Sequence, residues 1–346
     1  LHLYKRAIVI VEGEIMVRNI IRFIKAYIKS MRLYYSFVTG IAGWIGVAYY
    51  EFISRFPPER TVEVSPSLGK KIVILVMLFL SWGINQIIND FLGLKEDRFN
   101  APERPMVTGE LNPKAALVVS GILLVLSGLV TWFYLEPCAV IFLVLGVLLN
   151  IIYEYAKGYG ILGNIVFGLM ITMATLYGAF AAGPTESTFL YTHRMSALIL
   201  IFTLNAVMTF YTYFKDYEGD KKTGKKTLVV AWGPKKSRFA ALVTAFIPVV
   251  AFIILRWTDL LFVPINKTFI ILGLITFFLL LRTGFLYFRY SSGEKTYDSL
   301  GTNFRACVCG QAAIIALFNQ NLAIVLFIVS FISIGFLFKL HRNRNA

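Results

Sequence analysis

The sequence predicts an all-α membrane protein of nine or ten transmembrane helices, with Asp-rich cytoplasmic loops after helices 2 and 6. Three observations lead there. Hydrophobic residues make up 58% of the 346 residues and charged residues only 15%, where a soluble domain carries about a quarter charged residues. Apolar runs near the roughly 20 residues needed to cross a bilayer recur without a gap of soluble-domain length, so the membrane region reads as one domain. The bases behind the net charge of +15 sit between those runs, as in cytoplasmic loops. No nucleic-acid motif accompanies them, which argues against a nucleic-acid partner.

Residues 1–30 carry Lys5, Arg6, Arg18, Arg22, Lys25 and Lys29 among isoleucines, without a cleavable signal pattern. Ile20, Ile21, Ile24, Tyr27 and Ile28 recur at helical spacing, which predicts an amphipathic helix on the membrane surface. Spans are expected at 34–54, 72–92, 115–135, 137–153, 161–183, 195–214, 239–256 and 267–288. Two shorter runs, 304–318 and 322–339, are either separate helices or one broken helix. The chain thus divides into the amphipathic segment 1–30, a membrane domain 31–320, and an extra helix with a basic tail, 321–346.

Charge orients these spans. The loop after the second holds Lys95, Arg98, Arg104 and Lys114; the loop after the sixth holds eight bases from Lys215 to Arg238. The turn after the third span has none. The positive-inside rule places the even-numbered loops and the N-terminus in the cytoplasm. Arg55, Arg60, Lys70 and Lys71 after the first span fit less well, although Glu51, Glu59 and Glu63 accompany them. A cytoplasmic basic tail favours ten crossings over nine.

Cys138, Cys307 and Cys309 lie within or beside apolar runs and read as small buried hydrophobes. His2, His193 and His341 are far apart in polar flanks, so histidine catalysis has little support.

The chemistry lies in two acidic clusters. Asp216 and Asp220 are four residues apart, and Asp90 and Asp97 seven, so each pair shares a helix face if the helix continues. Carboxylates gathered on one face repel unless a cation or proton lies between them. Mg2+ is the natural guest, because it joins one or two carboxylates to substrate phosphates. Asn89 adds a neutral oxygen. Either cluster alone is as well explained as a solvated helix end. Together they are more specific: each is followed by Pro-Lys at a helix start, Pro113-Lys114 and Pro234-Lys235, a faint internal repeat with both clusters on one membrane side. Gly219, Gly224 and Lys225 imitate a P-loop, but Lys226 stands where Ser or Thr is needed and no strand precedes it. A transporter would carry its acids in mid-span rather than at helix ends.

The arrangement resembles the UbiA superfamily of intramembrane prenyltransferases. Asn89, Asp90, Asp97, Asn100, Pro102, Arg104 and Pro105 match its first motif, and Asp216, Glu218, Gly219, Asp220, Gly224 and Thr227 its second. Tyr153, Lys157, Gly163 and Asn164 match the segment between. The likeness covers residues 30–320 and implies helices packed around a central cavity. It also implies Mg2+ held by Asn89, Asp90, Asp97, Asp216 and Asp220. Asp90, Asp97, Asp216, Asp220 and Lys157 would be catalytic, and Asn89, Arg104, Tyr153, Asn164, Lys215 and Lys225 would contact substrate.

The implied partners are a prenyl diphosphate donor, a small acceptor and membrane lipid. The implied reaction is prenyl transfer with release of diphosphate, to an aromatic acceptor as is common in the family. The alternatives are a glycerol phosphate lipid or phosphoribosyl acceptor, or cyclisation without acceptor. Tyr153, Tyr155, Phe210 and Tyr213 are candidates to line an apolar cavity, or else to serve ordinary packing. One position departs from the motif. Gly93 stands where the family's middle aspartate is expected. Either Glu96 reaches the same place through local unwinding, or Asn89, Asp90 and Asp97 suffice.

Overall fold

The computed structural model describes residues 2–55, 65–185, 196–261, 265–292 and 295–342, with side chains from Glu14 to Leu340. Glu59, Arg60, Glu63, His193, Arg194 and the end of the basic tail lie outside the described residues, as does the first residue of the expected 195–214 span.

The chain is helical almost throughout. The helices are α1 (His2–Met31), α2 (Phe37–Ile53), α3 (Leu68–Leu92), α4 (Leu94–Asn100), α5 (Pro105–Thr108), α6 (Pro113–Tyr134), α7 (Val140–Ala156), α8 (Leu162–Ala181), α9 (Ala197–Thr212), α10 (Tyr217–Lys222), α11 (Leu228–Thr244), α12 (Ile247–Trp257), α13 (Lys267–Arg289), α14 (Thr296–Ile315) and α15 (Gln320–Arg342). Among the described residues, seven helical stretches are long and apolar enough to cross a membrane: α3, α6, 137–156, α8, 228–257, α13 and 320–340. Two shorter apolar helices, α2 and α9, lie where spans are expected.

Several helix starts carry side-chain caps. Asn112 accepts from the Ala115 N–H and precedes Pro113, and Asn266 accepts from the Phe269 N–H at 2.8 Å. The expected 239–256 span begins earlier than its hydropathy suggests. Lys235, Lys236 and Arg238 lie in α11 rather than in a loop, and the helix kinks at Gly233, whose φ is 74°. Pro234 then restarts it. The run 304–318 and the run 322–339 are separate helices, α14 and α15.

In lipid, helices gain little from hiding apolar surface, so their contacts rely on close packing of small residues. α2 and α8 meet in this way. A side chain at Gly178 would collide with the Gly43 carbonyl, and one at Gly46 with the backbone of Thr175 and Ala179. Thr175 also donates to the Ala42 carbonyl at 2.8 Å. Gly178→Val is therefore expected to separate α2 from α8 at a cost of about 3 kcal/mol. The check is a thermal melt in detergent; a wild-type melting temperature would refute the contact.

α14 runs through the centre, where every residue from Ala306 to Leu317 is buried. Asn205 Oδ1 on α9 accepts from Gln311 Nε2 at 3.2 Å and Cys307 Sγ at 3.3 Å. Cys307 and Cys309 are buried free thiols, whereas Cys138 is exposed, contrary to expectation. α6 and α7 turn Val118, Ile122, Val125, Leu126, Ile141 and Leu148 outward, an apolar surface suited to lipid. In α1 Ile20, Ile21, Ile24 and Ile28 are exposed, while Tyr27 is buried and bonds Ser120 at 2.7 Å.

Candidate active site

α3 is apolar through most of its length and turns polar in its last two turns, with Asn85, Gln86, Asn89 and Asp90 before its C-cap at Gly93. A charged carboxylate is tolerable there because the chain is leaving the apolar region. Asp90 is only 1% exposed. Its Oδ1 accepts from Arg32, from Arg104 at 3.3 Å and from Gln86 Nε2 at 3.2 Å. Its Oδ2 is buried without a hydrogen-bond partner. Three donors thus fix one oxygen and leave the other available. Arg104 also pairs with Asp97, so one guanidinium bridges both acids of the first cluster. Burial pushes Asp97 up and Arg104 pulls it down, leaving it at about 6. Burial also works against the Arg104 charge, but Asp90 and Asp97 outweigh it and hold the guanidinium firmly protonated.

The second cluster follows α9. Asp216 caps α10, and Asp220 lies one turn further, fully buried. Lys157, just past the end of α7, reaches between them, 3.6 Å from Asp216 and 3.1 Å from Asp220. Burial raises Asp216, but Lys157, Lys215 and Arg104 together bring it below the ordinary carboxylate value. Burial raises Asp220 to about 7 despite Lys157. For Lys157 burial opposes the charge, and Asp216 and Asp220 more than restore it. Lys215 is lowered by burial and makes no ion pair among the described residues.

The two clusters are joined directly. The Gly219 N–H donates to Asn100 Oδ1 at 2.8 Å, with the Asn100 amide packed where a side chain at Gly219 would stand. Short parallel strands β1 (Tyr159–Gly160) and β2 (Lys226–Thr227) tie the loop after α7 to the loop before α11. The first motif, the second motif and Lys157 therefore meet at one end of the bundle.

One cavity opens beneath them. Its polar end is lined by Asn89, Asp90, Asp97, Arg104, Lys157, Lys215 and Asp216. Its apolar end runs between α3, α6, α7 and α8, past Met77, Leu124, Phe142, Met170, Met173 and Tyr177. Tyr153 and Trp82 lie on its wall. Such a cavity suits an amphiphile with an anionic head and a long apolar tail.

Not every predicted residue lines it. Asp220 lies behind the wall and acts through Lys157. Asn164 donates to the Ala206 carbonyl at 3.0 Å and ties α8 to α9, away from the cavity. Lys225 pairs with Glu154 and with Glu96 at 3.4 Å. Tyr155 is 65% exposed, while Phe210 and Tyr213 pack with Tyr211, Phe214 and Tyr287 outside the cavity. Sequence reasoning missed Arg32. It adopts the left-handed conformation (φ 46°) between α1 and α2 and pairs with Asp90 from a distant stretch. Its one sequence signal is an isolated base beside the first span.

Among the described residues no three acidic, His or Cys side chains converge as a ready-made metal cage. The carboxylates are instead drawn onto Arg104, Lys157 and Lys225. That is compatible with Mg2+, which binds through one or two carboxylates and completes its shell with water and substrate phosphates. Asn89 Oδ1 and Asp90 Oδ2, both hard, buried and without hydrogen-bond partners, are the atoms best prepared to receive it.

Residues 61–304 match the UbiA prenyltransferase family, and this chain belongs to that family. It is a multi-pass membrane prenyltransferase. The chain is 30% identical over 232 residues to a digeranylgeranylglyceryl phosphate synthase of Methanosarcina mazei, covering 66% of this chain and 78% of that one. A second such synthase, from Pyrococcus horikoshii, is 27% identical over 230 residues, covering 66% and 76%. Among solved structures, a UbiA homolog from Archaeoglobus fulgidus bound to DMAPP and Mg2+ has a TM-score of 0.56 at 18% identity, covering 88% of this chain and 99% of that one. That likeness concerns the fold.

Proposed function

We propose that this chain transfers a prenyl group from an allylic diphosphate to a glycerol phosphate lipid, and that its active site faces the cytoplasm. The observation that carries the donor half is a cavity charged at one end and apolar along the rest. The similar synthases from M. mazei and P. horikoshii favour a glycerol phosphate acceptor over the aromatic one expected from the family at large. Lys215, lining the cavity without a carboxylate of its own among the described residues, offers a contact for a second anionic group.

Among the described residues, the nine apolar segments α2, α3, α6, α7, α8, α9, α11 with α12, α13 and α15, together with the less apolar 20-residue α14, make ten that accommodate this reading. An even number puts α1 and the far end of α15 on the side of the acidic loops. Lys95, Arg98, Lys114, Lys221, Lys222 and Lys226 crowd that side, which the positive-inside rule assigns to the cytoplasm. The exposed isoleucines of α1 then lie against the same leaflet.

In the reaction the allylic C–O bond breaks and the diphosphate departs with the electron pair. Arg104 and Lys157 supply charge-assisted contacts to its oxygens. Mg2+, when bound by the cavity-lining Asn89, Asp90, Asp97 and Asp216, with Asp220 behind them holding Lys157, would offset the charge that builds on the leaving group. The apolar wall keeps water from the allylic cation, and Tyr153 and Trp82 can turn π faces towards it. The acceptor hydroxyl oxygen bonds the allylic carbon, and its proton passes to the departing diphosphate as the ether forms.

The test is mass spectrometry of products from geranylgeranyl diphosphate offered with geranylgeranylglyceryl phosphate, a 4-hydroxybenzoate, or no acceptor. A doubly prenylated glycerol phosphate is expected. Prenylated benzoate alone would restore the aromatic reading, and hydrocarbon or alcohol without acceptor would establish a cyclase.

A further inference from the structure

We propose that Glu154, on α7, supplies the carboxylate that the first acidic motif lacks at Gly93, and so belongs to the metal–diphosphate shell. The proposal rests on the prenyl-transfer reading above. Gly93 is not reserved for glycine by its backbone, since φ −91° and ψ 17° are open to other residues. What distinguishes it is its neighbour. A Cβ at Gly93 would stand 3.2 Å from Glu154 Oε1 and 3.6 Å from its carboxyl carbon. The space an aspartate would occupy is already held by a carboxylate arriving from another helix.

Glu96 also lines the cavity and shares Lys225, but the carboxylate that stands against Gly93 is that of Glu154. Glu154 lines the same cavity as Asp90, Asp97 and Asp216, and its side chain is 11% exposed. It also follows the pattern of the motif carboxylates. Asp90 and Asp97 share Arg104, Asp216 and Asp220 share Lys157, and Glu154 and Glu96 share Lys225. Each acidic pair holds a cation, as crowded carboxylates must. An aspartate at 93 added to Glu154 would place two carboxylates in one position. A glycine there is the complement of the glutamate: the charge has moved from the end of α3 to the end of α7, and the number of acids around the site is kept.

The experiment measures Mn2+ bound to purified full-length protein by electron paramagnetic resonance, with a non-ionising S-thiolo analogue of an allylic diphosphate present. Mn2+ serves as a hard, oxygen-seeking substitute for Mg2+. Glu154→Gln, nearly isosteric, is expected to weaken Mn2+ binding about tenfold or more. Gly93→Asp alone should not tighten it. Gly93→Asp combined with Glu154→Ala, which vacates the space beside residue 93, should return affinity to within about threefold of wild type, because the carboxylate is restored from the other side. Thermal melts of all three accompany the titrations. A Glu154 role confined to holding Lys225 predicts no rescue by Gly93→Asp, so a double variant no better than Glu154→Gln overturns the proposal. Wild-type affinity in Glu154→Gln does the same. Failure of the underlying reading looks different: wild type would not bind Mn2+ with the analogue, and Asp90→Asn would change nothing.

Discussion

Asp90→Ala and Asp220→Ala are each expected to lower the rate of diphosphate release by about a hundredfold or more, while the protein still folds. The magnitude follows from the kind of interaction lost. A preorganised charge partner for a developing anion is worth roughly a hundred- to a thousandfold in rate in a water-poor site. The two substitutions act differently. Asp90 holds Arg32, Arg104 and Gln86 on one oxygen and keeps the other unpartnered, so its loss removes the proposed metal ligand and also frees two arginines. Asp220 is fully buried against Lys157, so its loss leaves that lysine with Asp216 alone. Restoring shape without charge separates ligand loss from collapse. Asp90→Asn and Asp220→Asn should melt within a few degrees of wild type in detergent yet release diphosphate as slowly as the alanine variants. Full activity in both alanine variants would dismiss the acidic motifs as the seat of the reaction.

Much of this site is legible in one dimension because ionised carboxylates are excluded from the middle of a span. Asp90 and Asp216 therefore mark helix ends, and the sequence places both clusters on one side through its charge pattern alone. Contacts across the bundle are a different matter. Arg32 meets Asp90 and Glu154 meets Gly93 only after α1, α3 and α7 have been packed. Hydropathy reports that a helix is apolar, not which face meets lipid and which meets the cavity. Helix rotation is set by packing at places such as Gly46 and Gly178. This is why Tyr153 and Tyr155, two residues apart, part company: one on the cavity wall, the other 65% exposed. The kink at Gly233 hid for a related reason. Lysines near the membrane surface suit a loop and a helix start equally, so Lys235 and Lys236 do not betray α11.

Lys157 allows a sharper prediction, because the same substitution should move two measurements in opposite directions. It stands between Asp216 and Asp220, and its charge is maintained against burial by those acids. In the donor complex proposed above the same ammonium would meet phosphate oxygens. Lys157→Met removes that charge-assisted contact and is expected to lower kcat about a hundredfold at saturating Mg2+ and donor. It also removes the cation that competes for the two carboxylates, which then repel each other more strongly. Substrate-free protein should therefore bind Mn2+ more tightly than wild type. A lysine that merely holds the loop after α7 against α10 would lose rate and metal affinity together when replaced. Lys157→Arg keeps the charge and should recover part of kcat while leaving Mn2+ affinity near the wild-type value. If Lys157→Met weakens metal binding, the lysine is a structural tie rather than a phosphate contact.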